Sequence, residues 1–180
     1  MKQDMKLVKK IQKKSSEAAA NELIAMYYHE MFSFVYKQTV DRELAKDLTQ
    51  EIFISMLKTI HGFDGRATFR TWLYKIANSR LIDFYRSKQY RLLKQSYEWN
   101  ELLQDEGRTF TLDIEKKEEV QSVMNVLLRF PEENQQIVRL KFFGEQTFTE
   151  IAHHLGLVES TVKTKYYSTI RKLQKLLKEE

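Results

Sequence analysis

Five glycines and a single proline in 180 residues leave this chain few places to turn sharply. An all-β fold needs a turn signal roughly every 8–12 residues, so the shortage predicts helices joined by a small number of loops. The hydrophobic fraction of 42% is enough for a folded core, and 31% charged residues suits a soluble protein. Cysteine is absent, which excludes disulfides and thiolate metal sites and is compatible with a reducing cytoplasm. The basic N-terminal stretch lacks an apolar h-region, and no stretch approaches the ~18 apolar residues of a membrane span. A soluble, cytoplasmic protein is therefore expected.

Apolar residues recur at helical spacing in two blocks. Residues 17–39 place Leu23, Met26, Tyr27, Met31, Phe34 and Val35 on one stripe. Asp41 is placed to cap a second helix carrying Leu44, Leu48, Ile52, Phe53, Met56 and Ile60. The loop FDGRAT follows, and Thr68 is placed to cap a third helix with Phe69, Trp72, Leu73, Ile76, Ala77, Leu81 and Phe84 on one side. Three matching stripes can bury one core. The period decays over 91–115 and resumes near Lys116 with Val120, Val123, Val126, Leu127 and Phe130. Pro131 then sits where a proline opens a helix, ahead of Glu132 and Glu133. The expected fold is all-α: a first helical domain over 1–90, a linker over 91–115, and a four-helix domain over 116–180.

Charge follows the same division. Residues 1–90 hold 16 basic and 10 acidic side chains, 91–115 hold 3 and 6, and 116–180 hold 11 and 9. Two basic modules flanking an acidic segment suit a polyanionic partner.

The stretch FTEIAHHLGLVESTVKTKYY has the order two crossing helices require. Ala152 lets a second helix approach, Gly156 can take a left-handed turn, and Val162 anchors the second helix. Ser160 and Thr161 are placed to cap that helix. Its outer face carries Ser160, Thr161, Lys163, Thr164, Ser168 and Arg171, whose hydroxyls and charges can meet phosphates or base edges. His153 and His154 are adjacent, point in different directions and have no carboxylate at metal-ligand spacing, so no metal is expected. Asp47 and Glu51, at i,i+4, could form an acid–base pair, but no nucleophile, metal cluster or glycine-rich loop accompanies them. No enzyme activity and no cofactor are expected.

Three segments, DRELAKDLTQEIFISML (41–57), FDGRATFRTWLYKIANSRLIDFYR (63–86) and FPEENQQIVRLKFFGEQTFTEIAHHLGLVESTVKTK (130–165), resemble in order the segments of extracytoplasmic-function sigma factors. The resemblance covers nearly everything beyond the first fifteen residues or so. It implies a sigma-2-like domain and a sigma-4-like domain joined by a flexible linker. Asp47, Gln50, Glu51 and Phe53 match the segment that docks on the clamp coiled coil of core RNA polymerase. The loop His61–Ala67 and the following helix match the part that melts and holds a single-stranded −10 element. Asp64, Arg66, Arg70, Tyr74, Asn78, Arg80, Tyr85 and Arg86 are its candidate contacts, with Lys75, Lys88 and Arg91 adding charge and Trp72 divided between core and stacking. The helix-turn-helix implies recognition of duplex −35 DNA, although Ser168 and Ile170 stand where the family often carries arginine. An anti-sigma factor, commonly membrane-anchored, is implied as a further partner. A free-standing helix-turn-helix regulator would not need the basic-aromatic stretch after DLTQEIF.

Overall fold

Helices and short connections account for the described residues of the computed structural model, which are 2–98 and 111–179; none of them forms a strand. The first module contains α1 (Lys2–Lys14), α2 (Glu17–Thr39), α3 (Arg42–Thr59) and α4 (Phe69–Glu98). A 3₁₀ turn, Ile60–Gly62, follows α3. Ser16 caps α2 by accepting from the Ala19 N–H, and Asp41 caps α3 by accepting from the Leu44 N–H at 3.1 Å. Each cap satisfies a backbone donor that the first helical turn leaves open, a contribution of about 1 kcal/mol. Leu23, Met31, Phe34, Ile52, Met56, Leu73 and Leu81 are all but fully buried where α2, α3 and α4 meet.

Helix α1 adds an element that the amino-acid pattern alone does not assign. Leu7, Val8 and Ile11 are buried on its inner side. Gln12 Nε2 donates to the Ile60 carbonyl at 2.8 Å and to the Phe63 carbonyl at 2.9 Å, tying the helix to the loop ahead of α4.

The second module holds α5 (Thr111–Leu127), α6 (Glu132–Val138), α7 (Phe148–Leu155) and α8 (Glu159–Glu179). Arg139–Phe143 form a π-helical turn after α6, closed by the Gly144 N–H on the Arg139 carbonyl at 3.1 Å. Thr147 and Glu150 make a reciprocal capping box at the start of α7. Gly156 takes φ +68°, the left-handed conformation expected of the turn. Ala152 and Val162 are buried as the crossing of α7 and α8 requires. Helix α8 begins at Glu159, so Ser160 and Thr161 lie in its first turn rather than at its cap. Within the expected linker, α4 continues to Glu98 and α5 already starts at Thr111; residues 99–110 lie outside the described residues.

The two modules pack against each other. Arg139 is completely buried between them, its Nη1 donating to Gln38 Oε1 at 2.6 Å and its guanidinium lying 4.9 Å from the centre of the Tyr85 ring. The Tyr85 hydroxyl donates to the Gln38 carbonyl at 2.6 Å. Gly144 permits the close approach, because a Cβ there would meet the Leu140 carbonyl oxygen at 2.8 Å and Tyr74 Cε1 at 3.1 Å. Among the described residues, ion pairs cross the same boundary at Arg86–Glu132 (2.8 Å), Arg70–Glu150 (3.7 Å) and Lys37–Glu145.

Candidate nucleic-acid and polymerase interfaces

The loop between α3 and α4 is set by its own polar groups. Asp64 Oδ1 accepts from the Arg66 N–H at 3.0 Å, and Asp64 Oδ2 lies 3.0 Å from Arg66 Nε. Gly65 takes φ +75° between them. Phe63 is buried, its ring 5.9 Å from Phe69 and 5.1 Å from Trp72, so the loop is pinned to the core at its first residue. Thr68 Oγ1 accepts from the Thr71 N–H, making Thr68 the cap expected from sequence. Arg66, with 90% of its side chain exposed, projects from this turn beside a cleft of about 490 Å³. Gly65, Thr68 and Phe69 line that cleft with Asp4 and Met5 of α1 and Thr149 and Glu150 of α7. Trp72 is half-buried and packed on Phe63 and Phe69, which assigns it to the aromatic core edge.

Along α4 the expected DNA-facing residues divide. Arg80 and Arg86 are exposed, Arg80 Nε donating to Ser55 Oγ at 3.0 Å and Arg86 pairing with Glu132. Arg70 is half-buried, 2.6 Å from Glu30 and 5.0 Å from the centre of the Tyr74 ring. Tyr74, Asn78 and Tyr85, expected off the apolar stripe and available to a strand, are instead buried at 2%, 1% and 2% exposure. Both tyrosines turn onto α2 of their own module, Tyr74 edge-on to Phe34 with its hydroxyl on Glu30 and Tyr85 with its hydroxyl on the Gln38 carbonyl. Gly144 and Arg139 of the other module also approach Tyr74 and Tyr85. Asn78 falls between those tyrosines on the same row, and both its amide atoms are buried without a hydrogen-bond partner. Ile76 and Phe84, expected in the core, are only partly buried. The side chains of Lys88 and Arg91 lie outside the described residues.

This covered surface is electrostatically unusual. Burial pushes the Arg139 guanidinium down to about 10 and the Tyr85 phenol up to about 12. The Tyr74 hydroxyl, raised by burial and by Glu30, donates to Glu30 Oε1 at 3.0 Å. His154 on α7 is held down at about 4 by burial and by Lys75 of α4, so it is neutral at pH 7. His153 is exposed, and no cluster of metal-ligating side chains occurs among the described residues.

On α3, Asp47, Gln50 and Glu51 share an exposed face, whereas Phe53 does not belong to it. Phe53 is 5% exposed, its ring stacked 6.2 Å from Tyr28. One step around the helix, Ile54 is 44% exposed and continues the Asp47–Gln50–Glu51 row. A ladder of stacked rings, Tyr28–Phe32–Tyr36, runs along the neighbouring α2 with Tyr28 and Tyr36 exposed. Aromatics at i, i+4, i+8 look like core in the sequence; the signal for a surface is that Leu23, Met31 and Phe34 already fill the inner side.

On α8, Ser160, Lys163, Thr164, Ser168 and Arg171 are exposed and Thr161 is partly so. Ser160, Thr161, Thr164 and Lys165 form a shallow concavity. Lys163 pairs with Glu159 at 2.6 Å and Lys165 with Glu133 at 2.7 Å. Tyr167, overlooked among the apolar residues, is 57% exposed and lies on the same outer row as Ser160, Thr164 and Arg171.

Two family models match the chain: Sigma-70 region 2 over residues 23–105 and Sigma-70 region 4 over residues 126–175. The RNA polymerase sigma factor YlaC of Bacillus subtilis is 31% identical over 160 residues, spanning 86% of this chain and 89% of that protein. The chain belongs to the extracytoplasmic-function group of the sigma-70 family. The ECF sigma factor SigX of Bacillus subtilis is a further relative, 29% identical, with 86% of this chain and 82% of that protein covered. Among solved structures, CnrH in complex with the cytosolic domain of CnrY superposes with a TM-score of 0.63 at 18% identity, covering 99% of both chains. The sigma factor RpoE in complex with the anti-sigma factor NepR from Bartonella quintana gives 0.54 at 14%, covering 88% of this chain and 96% of that one. These likenesses place the all-α fold. As a sigma factor the chain binds core RNA polymerase and directs promoter-specific initiation; the family consists of DNA-binding initiation factors, not enzymes. No helix among the described residues is long and apolar enough to cross a membrane.

Proposed function

We propose that initiation by this sigma factor uses three surfaces, and that one of them must be uncovered first. The exposed α3 row, with Ile54 in place of Phe53, docks on core polymerase. The outer face of α8, from Ser160 to Arg171 with Tyr167, reads duplex −35 DNA in the major groove. The Asp64–Arg66 turn and the Arg70–Tyr74–Asn78–Arg80–Tyr85–Arg86 side of α4 hold the −10 single strand, the cations following the backbone and the rings stacking on bases. The division into 1–90 and 116–180 about a linker assigns −10 and core binding to the first module and −35 binding to the second. Strand capture needs no nucleotide hydrolysis by this chain, because preferential binding of unpaired bases shifts the melting equilibrium.

The observation that carries this reading is the contact of the second module, through Gly144 and Arg139, with the buried Tyr74 and Tyr85. A −10 face that is closed over by the −35 module cannot engage both elements at once. Separation would rehydrate Arg139, recovering part of what its burial costs. In this reading the closed arrangement of the free chain is the resting form, the cost of burying Arg139 keeps opening within reach, and core polymerase and promoter DNA favour the open one. An anti-sigma factor would act by stabilising the closed form, as suits a chain whose structural neighbours were solved with CnrY and with NepR.

Run-off transcription with core polymerase tests the reading. Adding this chain is expected to give discrete start sites at promoters carrying separated −35 and −10 elements. Failure to bind core polymerase or to change its choice of start site would overturn it.

A further inference from the structure

The region 2 match begins at residue 23, so α1 lies outside it. On α1, Lys6, Lys9, Lys10, Lys13 and Lys14 all avoid the buried side and are exposed. Their spacing of i, i+3, i+4, i+7 and i+8 puts five ammonium groups on one face of a single helix. The acid on the same helix, Asp4, is 3% exposed and turned inward, accepting from the Tyr27 hydroxyl at 3.0 Å. Like charges at i,i+4 oppose helix formation, so a stripe with three such pairs (6–10, 9–13, 10–14) works against the helix it sits on. A basic amphipathic helix also suits a membrane surface. Here that use is closed off, because Leu7, Val8 and Ile11 are already buried against the protein.

We infer that the lysine stripe of α1 is a DNA-contacting surface, a phosphate grip that extends the −10 loop onto neighbouring promoter DNA. The bonds joining α1 to that loop make it so. Gln12 holds the Ile60 and Phe63 carbonyls on either side of His61 and Gly62. Lys9 lies one turn before Gln12, on the edge of the stripe nearest the loop. Met5 approaches Gly65, its Cε 3.5 Å from where a Cβ would stand, and Asp4 and Met5 line the cleft that Gly65 to Phe69 also line. The ammonium row is thus carried on a helix bonded to the loop that bears the exposed Arg66. Lysine is a compact point charge, suited to phosphates and carrying no base selectivity. The stripe would add affinity and salt dependence, and the bases would be read elsewhere.

This inference rests on the sigma-factor surfaces proposed above, and its test separates the two. The full chain with Lys6, Lys9, Lys10 and Lys13 changed to Gln is assembled with core polymerase, and promoter affinity is measured against salt. For every phosphate no longer neutralised by a lysine, the slope of log K against log salt becomes shallower by about 0.7–0.9. A slope shallower by about 2–3 is expected, with promoter affinity at moderate salt at least tenfold weaker, helix content and core affinity unchanged, and recovery when the same lysines are changed to Arg. An unchanged slope in a variant whose wild type binds the promoter would overturn the inference alone. So would weakened core binding with the promoter slope intact, which would assign the face to a protein partner. If the wild-type complex shows no promoter binding, the sigma-factor surfaces themselves fail.

Discussion

Gln38→Leu is expected to open the molecule without unfolding it. In the closed arrangement Arg139 is 0% exposed and its Nη1 relies on Gln38 Oε1, while Nε and Nη2 have no partner. Taking away that oxygen leaves a buried guanidinium with the Tyr85 ring and a weak approach of Nη1 to the Met124 sulfur at 3.4 Å. Leaving a buried charged donor without its acceptor costs about 1–3 kcal/mol or more. The cheapest relief is water, and Arg139 reaches water if the modules part. The radius of gyration in solution should rise by several ångströms above the roughly 16 Å of a compact chain of this length, with helix content unchanged. Arg139→Met is the counterpart. It keeps most of the volume, removes the charge and its desolvation cost, and should leave the molecule as closed as the wild type or more so. Compact Gln38→Leu together with expanded Arg139→Met would reverse the role given to this pair.

The second large effect is on polymerase binding. Asp47→Arg combined with Glu51→Arg reverses charge on an exposed face, so it should leave the fold intact. Charge reversal at a docking surface places like charges together and typically costs several kcal/mol, so core affinity should fall by about a hundredfold or more. Duplex −35 binding by α8 should be unaffected in the same protein. Phe53→Ala should behave in the opposite way. It removes a buried ring stacked on Tyr28, so it should lower thermal stability by about 3–5 kcal/mol. Core affinity measured well below its melting temperature should change little. A folded Phe53→Ala protein that fails to bind core, with normal binding by the double arginine variant, would return the docking role to Phe53.

Local signals carried most of the architecture. Asp41 and Thr68 cap the helices they are expected to cap, and Ala152, Gly156 and Val162 take the positions that a helix-turn-helix requires. Each depends on neighbours within a few residues, which is the range over which periodicity and turn chemistry act. Where the sequence misled, the cause was distance or a single step of rotation. Gln38 and Arg139 are 101 residues apart, and Tyr74 and Tyr85 bond to α2 groups 44 and 47 residues away, so nothing in the period of α4 could announce those partners. Phe53 and Ile54 are adjacent, and one residue turns a side chain by about 100°, from core to outer face. Tyr167 was hidden by its company, since it and Tyr166 both lie against Phe148 and yet Tyr167 stays exposed. Helix α1 carries three buried aliphatic residues among its lysines, too short a stripe to stand out until Gln12 is seen gripping the loop.

The absence of native cysteines makes one measurement straightforward. Cysteines placed at the exposed positions Ala25 and Lys172, one in each module, can carry a fluorescent donor and acceptor. Energy transfer is then followed in the free chain, after adding core polymerase, and after adding promoter DNA. High transfer in the free chain that falls when the initiating complex forms is the predicted result. Low transfer in the free chain, or high transfer that persists in a complex actively making transcript, would contradict a −10 face closed at rest and opened for initiation.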